Sequence, residues 1–264
     1  MRSEDISETL RLLCRRENVL RHLDSNGSRK QDLLSDLAVS RSTIDRSLRE
    51  LTDAGFAVRS DGVYRRTLAG ELALEEYDRV SRRLDGLLRS PSFLDGLPAE
   101  SDADPALFDG ATVSEAERQS PYAPILAFTD LLEKSSYVVG FASAVFPAEV
   151  EAYRDQLRSG ELVSRMVVTD SVCERLVSQY GEVVREGLAT GRIDIRRAPD
   201  LPSYTLVVGS TADCAEVGLV SHTSNGVRGV LRNDDPEAVE WARRRIATYW
   251  RTAEAVCPPD SGDD

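Results

Sequence analysis

Residues Ser28 to Thr67 read SRKQDLLSDLAVSRSTIDRSLRELTDAGFAVRSDGVYRRT, and this stretch decides the fold of the first third of the chain. Ser28 is placed to cap a short helix from Arg29 to Ala38, in which Leu33, Leu34 and Leu37 recur at helical spacing. Val39-Ser40 makes a tight corner, Ser40 caps a second helix from Arg41 to Ala54, and Gly55 stands where that helix ends. Two short helices joined by so small a turn are a helix-turn-helix. At about 100° per residue, Ile44, Leu48 and Leu51 form one apolar stripe of the second helix, while Ser42, Arg46 and Arg49 lie opposite, flanked by Thr43, Asp45 and Glu50. After Gly55 the period shortens: Phe56 to Arg59 and Val63 to Arg66 flank Ser60-Asp61-Gly62, a hairpin signal. Helices and hairpin together predict a winged helix-turn-helix.

The outward face of the second helix suits a DNA major groove, because Arg pairs with guanine edges and hydroxyls serve phosphates or bases. Arg59, Arg65 and Arg66 on the hairpin are then within reach of phosphates or a minor groove. The residues expected to meet DNA are Arg29, Lys30, Arg41, Ser42, Thr43, Asp45, Arg46, Arg49, Arg59, Arg65 and Arg66. The plainer alternative is a solvated, charged three-helix domain that binds nothing.

Working outward, 264 residues leave room for two domains, each with its own core. No apolar run approaches the ~20 residues of a spanning helix, and Met1 to Ser7 is charged, unlike a signal peptide. The four cysteines, Cys14, Cys173, Cys214 and Cys257, are scattered, which points to reduced thiols in a cytoplasm and to neither a zinc site nor a disulfide framework. Net charge is −12, yet residues 1–70 hold 13 Lys and Arg against 11 Asp and Glu, so the acid lies in the remainder. Lys30 and Lys134 are the only lysines. Abundant acid with so little lysine looks like adaptation to a salt-filled cytoplasm, where charge is screened over ~3 Å at molar salt and DNA contacts must be close. Solubility alone accounts for most of such an excess.

Asp5 to Ser25 reads as the first helix of this domain, with Ile6, Leu10, Leu13, Leu20 and Leu23 on one side; its lone His22 has no companion ligand. Thr67 caps a long helix from Leu68 to Leu88, where Tyr77, Val80, Leu84 and Leu87 follow a 3, 4, 3 rhythm after Leu72. That seam either packs on the winged domain or pairs with a second copy. Residues 90–105 are rich in Pro, Ser, Asp and Gly and read as a linker. The expected organisation is 1–89 winged helix-turn-helix with its following helix, 90–105 linker, 106–256 an α/β effector or dimerisation domain, and 257–264 a disordered acidic tail. In the third of these, helices and strands alternate: helix from Pro121 to Glu133, strand from Tyr137 to Phe141, helix after Pro147, strand from Leu162 to Val168, helix from Ser171 to Leu188, strand from Ile193 to Arg196. That βαβ order predicts a largely parallel part of the sheet. Strands at Tyr204 to Val208, Ala215 to Val220 and Val227 to Leu231 then suit antiparallel hairpins turning at Ser210 to Asp213 and Asn225-Gly226, so the sheet as a whole is mixed. Asp235-Pro236 opens the last helix.

No phosphate-binding glycine loop, metalloprotease or nucleophile-elbow motif is present, and His222 has no visible partner, so catalysis, cofactor and metal are not expected. Asp36 to Leu51 with the hairpin after it resembles the winged-helix half of a large set of haloarchaeal regulators. Leu107 to Val113, Ser120-Pro121-Tyr122, the Tyr137 to Ser143 strand and the Val227 to Leu231 strand resemble their second half, a sensor domain named for an archaeal methanogenesis regulator. That resemblance implies a phospholipase D-like fold of the kind in sugar-responsive TrmB-like archaeal regulators. The phospholipase signature, His-x-Lys with a downstream Asp, is not met at His222-Thr223-Ser224, which implies binding without hydrolysis. A ligand in an open α/β sheet sits beyond the carboxyl ends of the strands, here at Ser143, Thr169, Asp170 and Ser171, and His222 is a further candidate; Thr169 and Asp170 serve equally as a plain helix cap. The expected partners are double-stranded DNA, a second copy in a homodimer and a possible small-molecule effector, with no membrane. A DNA-independent assembly protein and a phospholipase D-like enzyme are the competing readings.

Overall fold

The computed structural model describes residues 2–24, 26–160, 162–223 and 226–256; the acidic tail at 257–264, Cys257 and the Ser224-Asn225 turn lie outside them. The chain divides into two compact units, Met1–Arg82 and Arg83–Asp264.

The first unit opens with α1 (Arg2–His22), which ends three residues before the expected Ser25. Leu23 still follows it into the core. α2 (Lys30–Asp36) is capped from Arg29, whose backbone N–H donates to the Asp32 carboxylate at 2.8 Å. Ser28 is not the cap that its residue type suggests. Its N–H and C=O exchange hydrogen bonds with Tyr64 at 2.9 and 3.0 Å, so a strand-like pairing takes the residue before the helix begins. α3 (Arg41–Asp53) starts as expected, with Ser40 Oγ accepting from Thr43 N–H at 3.2 Å, and is followed by Gly55 at φ +77°.

β1 (Ala57–Ser60) and β2 (Val63–Arg66) pair in register through Asp61-Gly62, both at positive φ, the backbone signature of a tight two-residue hairpin. α4 (Leu68–Arg89) begins where Thr67 Oγ1 accepts from Gly70 N–H at 3.1 Å. A Cβ on Gly70 would stand 2.1 Å from the Phe56 carbonyl oxygen, so only glycine lets this helix approach the hairpin so closely. Leu13, Leu20, Leu23, Leu33, Ile44, Leu48, Leu51, Tyr64 and Leu74 close the core of the unit. The apolar stripe of α3 is thereby spent inward, which fixes its other face to solvent.

The division between units falls inside α4, and residues 90–105 are not a loose linker. α5 (Pro91–Leu94) puts Phe93 fully inside the core of the second unit, with Leu94, Leu97 and Ala103 packed around it. Proline and serine there shape turns around an apolar anchor that composition alone hides. A 3-10 turn (Pro105–Phe108) buries Leu107 and Phe108 beside it.

The second unit is an α/β fold with a mixed sheet. Its strands are β3 (Thr112–Glu115), β4 (Tyr137–Ala142), β5 (Val163–Val168), β6 (Ile193–Arg197), β7 (Tyr204–Ser210), β8 (Ala215–Thr223), β9 (Gly226–Asn233) and β10 (Glu254–Ala255). They lie in the order β10-β6-β5-β4-β7-β8-β9-β3. β4, β5 and β6 run parallel through α7 (Pro147–Ser159) and α8 (Asp170–Ala189); all other pairings are antiparallel. The edge strands β3 and β10 escape a periodicity reading because they are short. α6 (Ala123–Lys134) packs with α7 and α8 on one face, and α9 (Pro236–Thr252) covers the other with Ala238, Val239, Ala242 and Ile246. Buried Asn233 locks that second face, its Nδ2 donating to the carbonyls of Leu107 and Asp109 at 2.9 Å while Oδ1 accepts from Asp235 N–H at 2.8 Å.

Candidate nucleic-acid interface

Because Ile44, Leu48 and Leu51 are buried, the opposite face of α3 presents Arg41, Ser42, Asp45, Arg46 and Arg49 to solvent. Thr43 is half-buried, its hydroxyl 2.8 Å from Ser40 Oγ, with Ser42 Oγ at 2.9 Å from the same atom. The first turn of α3 is therefore a hydroxyl cluster at the positive end of a helix, where an anion is favoured.

The arginines are held in different ways. Arg49 makes no ion pair among the described residues. Arg46 Nε donates to Glu50 Oε1 at 2.7 Å, and Arg16 from α1 donates to the other oxygen at 2.9 Å. Arg16 first, and Arg46 with it, hold the Glu50 carboxyl down at about 2. This pre-orients Arg46 along the helix, since a surface pair of this kind contributes little stability, roughly 0–1 kcal/mol. Lys30 pairs with Asp45, tying the start of α2 to α3, and that contact lowers the Asp45 carboxyl.

The hairpin joins the same surface. Lys30 Nζ and the Arg59 guanidinium lie 5.9 and 5.6 Å from the Tyr64 ring centroid. One aromatic ring thus gathers a cation from α2 and a cation from β1 beside the exposed face of α3. Tyr64 is a member of this surface that sequence reasoning missed, because an aromatic in a strand reads as core, and its ring is indeed largely buried. Arg29 is exposed, and Arg65 half-buried near Gly27. Arg66 departs from the expectation of a phosphate contact: its side chain is 18% exposed, bonded to Glu71 at 2.8 and 3.2 Å and to the Leu20 carbonyl at 3.4 Å. The hairpin's last residue points toward α4 and α1, so its charge is spent inside the unit.

The first unit holds 15 Lys and Arg against 15 Asp and Glu, so any pull on a polyanion is a property of this face and not of net charge.

The expected ligand residues of the second unit are partly engaged in local hydrogen bonds and partly exposed. Ser143 Oγ donates to the Tyr204 carbonyl at 3.4 Å, Thr169 caps α8 by accepting from Val172 N–H at 3.3 Å, and Asp170 and Ser171 are exposed. His222 is half-buried; Thr205 Oγ1 lies 3.0 Å from its Nε2 and Phe146 stacks on its ring. Burial pushes its pKa down to about 4, so it is neutral at physiological pH. Among the described residues no group of three or more His, Cys, Asp or Glu is placed to hold a metal ion, and no helix is long and apolar enough to cross a membrane.

Residues 121–252 match the family model of the middle domain of the methanogenesis regulatory protein FilR1, and residues 4–88 match the HVO_A0261 N-terminal domain. No curated protein is significantly similar to the chain. Among solved structures, TrmBL2, described as an archaeal chromatin protein with a novel mode of DNA binding, is 16% identical over 95% of this chain and 99% of its own, with a TM-score of 0.41. The phospholipase D family member Nuc from Salmonella typhimurium is 14% identical over 55% of this chain and 97% of its own, with the same TM-score of 0.41.

Proposed function

The chain belongs to the family defined by the middle domain of the methanogenesis regulatory protein FilR1, and from that membership we propose that it is a DNA-binding transcription regulator. Its first unit is a winged helix-turn-helix in which α2 and α3 form the motif and β1-β2 the wing. The observation that carries this reading is the exposed Arg41, Ser42, Arg46 and Arg49 face of α3, flanked by Lys30 and Arg59 on Tyr64. The division of labour follows from chemistry: Arg46 and Arg49 read base edges, the hydroxyls and Arg41 at the start of α3 hold a phosphate, and Lys30, Arg59 and Arg65 fix the register on the backbone. The second unit, which lacks His-x-Lys at His222, senses or assembles and does not hydrolyse. Its acid excess and the near absence of lysine suit a halophilic archaeal cytoplasm.

The test is site selection from random duplexes, followed by affinity measurements on the selected sequence at fixed salt. Arg49 makes no ion pair among the described residues, so Arg49→Ala is expected to leave Tm unchanged and to cost ~1–3 kcal/mol of specific binding. Arg46→Ala is expected to behave alike, within the small contribution of its pair with Glu50. Failure to select any sequence, or unchanged affinity in both variants, overturns the proposal in favour of a DNA-independent assembly protein.

A further inference from the structure

α7 and α8 do not close completely on the sheet. Between them and β4, β5, β6 and β7 lies a cavity of about 90 Å³, walled mainly by Val145, Val168, Val172, Leu176, Val184 and Ile195. Among the described residues no Lys or Arg reaches its wall. Four polar side chains do: Glu149 and Tyr153 from α7, Ser164 from β5 and Thr205 from β7.

Two of these polar groups are unusual. Ser164 is 1% exposed and its Oγ has no hydrogen-bond partner; the buried Tyr153 Oη has none either. Ser164 lies near enough to temper the tyrosine, whose pKa burial raises, yet the two hydroxyls do not reach bonding geometry. Leaving a buried hydroxyl without a well-formed hydrogen bond is costly, so two such groups on one wall of an apolar void keep donor and acceptor capacity for a third group. Glu149 is also buried, one oxygen accepting from Phe146 N–H at 3.3 Å, and burial lifts its carboxyl to about 8. Thr205 leads on to His222, whose Nδ1 is buried without a partner.

We propose that this cavity binds a small uncharged molecule, mostly apolar with one hydroxyl or carbonyl head, whose head bonds Ser164 and Tyr153. An anion would be buried with no cation among the lining residues to offset its charge. An ammonium head would either stay unpaired in an apolar wall or have to ionise the buried Glu149, and a buried pair at best offsets its own desolvation. A neutral head costs neither and satisfies the two hydroxyls, while the carbon skeleton occupies a void of the order in which dry protein cavities take up benzene-sized ligands, roughly 150 Å³. Only the regulatory consequence, that occupancy fixes α7 and α8 on the sheet and is read out at DNA, rests on the regulator reading; binding itself does not.

The experiment uses the full chain without DNA, with phenol, benzene, pentylammonium and pentanoate as probes, followed by methyl chemical shifts of Val168, Val184 and Ile195 and by thermal shift. Phenol is expected to move these methyls saturably, to raise Tm, and to bind several-fold more tightly than benzene. Ser164→Ala should abolish that preference for phenol while benzene binding persists, an outcome that a purely structural serine would not give. Val184→Phe should remove binding of both; if it fails to fold, the change in selectivity in Ser164→Ala still decides. No saturable shift with phenol, equal binding of phenol and benzene to the wild type, or binding of pentylammonium or pentanoate alone overturns the proposal. Probe binding in a protein that selects no DNA sequence would sink the regulator reading and leave this site standing.

Discussion

Glu50 and Glu149 are the same residue type driven in opposite directions. On the exposed face of α3 two arginines hold Glu50 ionised far into acid, whereas beside the cavity the apolar wall keeps Glu149 protonated up to about 8. For Glu149 the folded pKa lies above the ordinary 4.5, so the unfolded chain ionises first and the folded state loses stability as pH rises from about 4.5 toward 8. Glu149→Gln removes that loss. Its Tm is expected to exceed that of the wild type at pH 8 and to converge with it near pH 4. His222, with its pKa pushed down to about 4, contributes a fall in stability on the acid side, but it is common to both proteins and cancels in the difference. A Tm difference that does not vary with pH would mean that Glu149 is not held neutral by burial.

At the scale of elements, the hairpin and α3 divide the proposed DNA contacts between them. Arg59 is exposed and Arg65 half-buried on the hairpin, while Arg66 is bound to Glu71 and the Leu20 carbonyl. The double variant Arg59→Ala, Arg65→Ala is expected to weaken binding to all duplexes about equally. It should also flatten the slope of log affinity against log salt by about one counterion for each arginine–phosphate pair removed. Arg66→Ala should instead lower Tm and leave that slope intact. Sequence-selective weakening in the double variant with an unchanged slope would assign base reading to the hairpin.

α4 shows how an apolar rhythm divides once the chain folds. Tyr77 packs on the core of the first unit and Leu87 on that of the second, while Val80 and Leu84 stay 43% and 52% exposed. The seam expected as one dimer face is therefore not a single free stripe. In the first unit, Val80 instead lines a groove with Ile6 and Leu10 of α1, both exposed.

For the molecule as a whole, the proposed winged helix would present one recognition helix, and two half-sites a helical turn apart would then require a two-fold pair. We propose that this α1–α4 groove receives its copy in a homodimer. In molar salt the wild type is expected to sediment at twice the chain mass, and Val80→Asp to shift toward monomer, because a carboxylate buried without a partner is costly. A Val80→Asp protein that remains a dimer would move the interface to another surface.

Local architecture was legible in the residues alone: the Ile44-Leu48-Leu51 stripe, Ser40 as cap, the Asp61-Gly62 turn and the alternation that yields β4 to β6. Each of these is a short-range choice of backbone and face, made by residues within a turn or two of one another. Which arginines remain outward depends instead on long-range packing, because Arg66 is captured by a residue of the next helix and Arg46 shares Glu50 with Arg16 of α1. Packing alone likewise reveals that Phe93, in a stretch with the composition of a linker, anchors the second core. The cavity was equally invisible in sequence. Glu149, Tyr153, Ser164 and Thr205 come from three elements and 56 positions of chain, and each alone is an ordinary helix or strand residue. The single local trace was a serine at 164 on the same side of β5 as Met166 and Val168. Its burial arises only when α7, with Tyr153, packs over that part of the sheet, a long-range event that no local pattern encodes.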